Sequence, residues 1–63
     1  MAPDARHSEL SSLTSSLEEL TRRLTALAES AQREGDEESA SELFGVERSL
    51  NGALRRLRRF ADR

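Results

Sequence analysis

From Leu10 onward the apolar residues keep a regular beat: Leu10, Leu13, Leu17, Leu20, Leu24 and Leu27, closed by Ala31, alternate spacings of three and four residues. This is a heptad repeat. With Leu10 at position a, every a and d position as far as Ala31 is apolar, while Glu18, Glu19, Arg22, Arg23 and Glu29 lie off the seam. Residues three and four apart share one face of a helix, so the pattern predicts a helix packed along a single stripe. Leu10 and Leu13 already obey the seam, which places helix 1 over about 8–33, after a flexible tail at 1–7. Asp4 and Ser8 are candidate caps, and Ser15 with Glu18 or Ser16 with Glu19 would make capping boxes further in.

The beat stops at Arg33-Glu34-Gly35-Asp36-Glu37-Glu38. Gly35 suits the left-handed residue that ends a helix, Asp36 can cap the next one, and Glu37 and Glu38 fall where the helix dipole favours anions. A turn confined to 34–36 leaves helix 2, at about 37–61, little choice but to fold back antiparallel. Helix 2 repeats the seam with Leu43, Val46, Leu50, Ala53, Leu57 and Phe60, and adds Ala40, Leu54 and Ala61 at the neighbouring e position. Ala40 and Ala61 could be there simply as good helix formers. The wider stripe is also what a helix needs if it must face both its hairpin partner and a second chain. The expected fold is therefore all-α: an antiparallel, coiled-coil-like two-helix hairpin in one domain, 8–63, dimerising into a four-helix bundle. Asn51-Gly52 is a turn dipeptide, and Gly45 and Gly52 each cost about 1 kcal/mol relative to alanine inside a helix. The seam stays in phase across them, so helix 2 is expected to run through.

Composition sharpens this picture. A chain of 63 residues builds only a small core and usually needs a disulfide, a metal or association to hold it. Cysteine is absent and the single histidine, His7, falls in the tail, so no disulfide, metal site or other cofactor is expected, and association remains. The charged fraction of 35% with 3% aromatics would point to disorder were the leucines not periodic. Every basic residue is arginine, the mark of a high-GC and hence bacterial genome. Met-Ala-Pro-Asp is followed by no apolar run, so neither a signal peptide nor a membrane span is expected and the protein is assigned to the cytoplasm.

The sequence holds no catalytic set. It lacks cysteine and lysine, no histidine is placed to activate a serine, and the carboxylates lie among arginines on solvated faces, so the protein is read as non-enzymatic. Helix 2 is electrically polarised, acidic from Asp36 to Glu47 and basic from Arg48 to its end, which complements the helix dipole and sets arginines beside Asp4, Glu9 and Glu18 of helix 1. Its back face also carries Phe44, Gly45, Arg48, Gly52, Arg55 and Arg59, with Ser41 and Ser49 completing a ribbon of small residues. Phe44 either covers the end of the core near Ala31 or offers a partner contact. Two interior glycines and an off-stripe phenylalanine on one face are a local cost that function would explain, so these six residues are the candidate partner-binding set. The leading functional expectation is an adaptor or regulator that binds a larger protein. The alternative is a binder of nucleic acid or another anion through the arginine stripe; a net charge of −2 and the lack of stacking aromatics weigh against it.

Overall fold

The computed structural model describes residues 3–62 and consists of two helices, α1 (Pro3–Arg33) and α2 (Glu37–Ala61), packed against each other as a hairpin. Helix α1 starts earlier than the seam suggested. Proline is well suited to the first helical position, where its missing N–H costs nothing and its ring presets the backbone angle. Residues 3–7 of the expected tail thus belong to the helix, and Ser8 lies inside it rather than capping it. Residues 1 and 2, the Pro3 and Asp4 side chains and Arg63 lie outside the described residues.

The reversal follows the residue logic of the sequence. Gly35 adopts φ of 81°, and its N–H donates to the Gln32 carbonyl at 3.1 Å while the Asp36 N–H donates to the Ala31 carbonyl at 2.9 Å. These paired bonds satisfy carbonyls that a helix end would otherwise leave open. Asp36 then accepts a hydrogen bond from the Ser39 N–H at 3.1 Å, capping α2. Helix α2 runs unbroken through Asn51-Gly52.

The hairpin closes along a line displaced from the a/d seam. Buried residues are Thr21 and Ala28 on α1 and Ala40 and Leu54 on α2, all at position e, while Leu10, Leu17, Leu24, Leu43, Leu50 and Leu57 at position a are half-buried. On an ideal helix e lies about 40° to one side of a and d about 60° to the other. An interface centred between a and e therefore turns the d row outward. Small side chains decide the choice, because Thr21, Ala28 and Ala40 let the two backbones come close. Thr21 buries its hydroxyl without penalty by donating to the Leu17 carbonyl at 2.7 Å, as Thr14 does to Leu10 at 2.8 Å.

No large side chain is completely buried among the described residues, and the Cα envelope measures 51 × 15 × 13 Å, one helix pair across and one helix deep. A core of this kind has no second layer.

Candidate functional site

Closing the hairpin leaves two broad sides, and they differ in chemistry. On the side carrying position b, Arg58 makes an ion pair with Glu18, and the Thr25 hydroxyl donates to Glu47 Oε2 at 2.6 Å, with the Thr21 carbonyl 3.0 Å away as its other acceptor. These contacts join the two helices across this side. They also make this side polar.

The opposite side carries position d. Leu13 is 55% exposed, Leu20 53%, Leu27 60%, Val46 46% and Phe60 49%, with Ala53 exposed among them. Counting antiparallel between the Thr25–Glu47 and Glu18–Arg58 contacts brings Leu27 to about the level of Val46, Leu20 to that of Ala53 and Leu13 to that of Phe60, three apolar layers on one side. An open groove lined by Ala53, Arg56, Leu57, Arg59 and Phe60 continues it toward the open end of the hairpin. At the edges of this face position g supplies Glu9, Ser16, Arg23 and Ser30 on α1 and Glu42, Ser49 and Arg56 on α2, a polar rim around an apolar centre.

The residues read as a single core seam therefore divide. Leu54 is buried, the a-position leucines are shared between interior and surface, and Leu13, Leu20, Leu27, Val46 and Phe60 are about half exposed. The sequence reading missed the α1 counterpart of the wide α2 stripe, namely Thr14, Thr21 and Ala28 at position e. Its signal was present, but threonine counts as polar unless its hydroxyl is returned to the backbone.

The back-face set is distributed along the outer edge of α2. Arg48, Arg55 and Arg59 are exposed, and neither they nor Arg56 makes an ion pair among the described residues. Phe44, for which the sequence leaves both a core-covering and a partner-facing role open, is half-buried. The displacement of the interface toward e explains this, since b neighbours e and is drawn inward with it. A Cβ added at Gly45 would meet only Arg48 Nη2 at 3.8 Å, and one at Gly52 only Arg55 Nη2 at 3.7 Å. Packing demands glycine at neither place.

Electrostatic perturbations are few and local. Hydrogen bonding from Arg22, reinforced by its charge, holds the Glu19 carboxyl below its ordinary value, and the Arg22–Glu19 pair measures 2.7 Å. Hydrogen bonds from the Ser39 side chain and then its backbone hold Asp36 low in the same way. Among the described residues no three His, Asp or Glu side chains gather to hold a metal ion, and no helix is long and apolar enough to cross a membrane.

Comparison with known protein families, with characterised proteins and with solved structures finds no match.

Proposed function

We propose that this protein is a non-enzymatic interaction module, an adaptor or regulator of a bacterial cytoplasm, that works by helix–helix association through its d-row face. One observation carries the reading: Leu13, Leu20, Leu27, Val46 and Phe60 are all about half exposed on the same side of the hairpin. Single exposed leucines are ordinary, but a contiguous apolar face on the order of 500 Å² on so small a chain is characteristic of a binding surface. Its aliphatic layers repeat at helical spacing, so the fitting partner surface is another helix.

The test compares the wild-type chain with Leu27→Glu, which places a charge on the open face and not in the hairpin interior. Circular dichroism should show that the variant stays helical. Binding to protein, whether to itself or to another protein captured from the source lysate, should be present for the wild type and lost for the variant. Equal binding by both would place the interaction elsewhere and defeat the reading.

The exposed arginines Arg48, Arg55, Arg56 and Arg59, none paired among the described residues, favour a second reading in which the α2 edge carries an anionic partner such as a nucleic acid. Arg55→Ala with Arg59→Ala should then abolish binding to duplex or single-stranded nucleic acid, and that binding should weaken steeply with salt. No binding by the wild type at low salt removes this reading.

A further inference from the structure

We propose that the occupant of the d-row face is a second copy of this chain, packed antiparallel so that the turn end of one hairpin lies over the open end of the other. The inference rests on the reading of that face as an interaction surface and names its partner. Three features of the molecule carry it.

The first is extent. Two faces of this size bury on the order of 1,000 Å² together, the lower bound for a specific interface, before the half-exposed a-position leucines are counted. The second is layer volume. A two-fold axis through the Leu20/Ala53 level sets that layer against its own copy and brings the bulky Leu13/Phe60 layer over the slimmer Leu27/Val46 layer. The bundle is then evenly thick. Packing turn beside turn would instead stack Leu13/Phe60 on itself at one end and Leu27/Val46 on itself at the other, leaving a wedge.

The third is charge. Glu34, Asp36, Glu37, Glu38 and Glu42 outnumber Arg33 at the turn end, whereas Arg55, Arg56 and Arg59 lie toward the open end, where Arg58 is already paired with Glu18 on the other side. An antiparallel pair lays acidic ends over basic ends; a turn-beside-turn pair lays acid on acid within about a Debye length. The charges are exposed, so each pair is weak, but their sum runs in one direction and selects between two arrangements that share the same apolar face.

The test uses the absence of native cysteine. Sedimentation equilibrium of the wild-type chain should give a dimer at tens of micromolar. The antiparallel axis passes beside residue 20, so Leu20→Cys chains should form intermolecular disulfides more than about ten-fold faster than Ser15→Cys chains, whose thiol faces away, because effective concentration across a contact far exceeds the bulk. Likewise, mixed Leu13→Cys and Leu27→Cys chains should cross-link to each other in preference to themselves. A helical monomer throughout this concentration range overturns the proposal, as does equal oxidation of Leu20→Cys and Ser15→Cys. Preferential cross-linking of Leu20→Cys to Ala53→Cys chains would reveal the turn-beside-turn pair and overturn the arrangement. A monomer that nevertheless binds another protein, and loses it on Leu27→Glu, rejects the second copy while leaving the interaction face intact.

Discussion

Asp36 shows how much one side chain organises here: it ends the turn opened by Gly35 and satisfies the Ser39 N–H in the first turn of α2. Its carboxyl is held below the ordinary 3.8 by hydrogen bonding from Ser39. A carboxyl depressed in the folded state binds its proton more readily when unfolded, so its contribution is present above that ordinary value and is lost as pH falls through the folded one. Glu19, held low by Arg22, acts with the same sign. The thermal midpoint followed by circular dichroism should therefore fall between about pH 5 and pH 3, and Asp36→Asn, which keeps the cap but not the titration, should flatten part of that fall. Asp36→Ala should lower the midpoint at neutral pH. Glycine supplies the opposite case. Gly35 needs its left-handed conformation, but Gly45 and Gly52 have only flexible arginine tips nearby, so alanine at either should stabilise the fold by about 1 kcal/mol in urea denaturation. If either substitution also weakened an anionic ligand, the back-face residues would gain a function that their packing does not supply.

At the scale of the elements, each helix carries a row of a-position leucines flanked by a d row and an e row, and the hairpin closes on a and e while leaving d open. Leu54, buried at position e, and Leu27, exposed at position d, are the same residue type with opposite assignments. Leu54→Ala should cost about 2–4 kcal/mol by leaving a cavity in a core with almost no other large buried group, enough to unfold much of the protein at room temperature. In an isolated hairpin Leu27→Ala removes mostly exposed surface and should cost far less than Leu54→Ala. If it destabilises the protein at high concentration and not at low, the loss belongs to a contact between chains. On the polar side Glu18 with Arg58 and Thr25 with Glu47 pair across the helices.

At the scale of the molecule, a single pair of helices with no fully buried large side chain among the described residues has little to hold it against chain entropy. Any partner that binds the folded state adds stability by mass action, so a self-associating chain should show a midpoint that rises with protein concentration. Melting curves over a hundred-fold dilution check this; a midpoint independent of concentration would mean that the hairpin stands alone.

The sequence by itself determined the two helices, the turn at Gly35-Asp36, the end of α2 at Ala61 and the leucine heptads, because caps, glycine conformation and a 3.6-residue period act over a few neighbouring residues. It did not determine which side of each heptad faces inward. Positions d and e flank a almost symmetrically, and an apolar d row of leucines looks like the better seam than an e row containing threonines. Only the tertiary structure decided for e, since close approach of two backbones depends on small residues on both helices at matching levels: Thr21 and Ala28 on one, Ala40 on the other. That choice turned Leu13, Leu20 and Leu27 from presumed core into an open face, and with it moved the candidate site from one edge of α2 to a surface built by both helices.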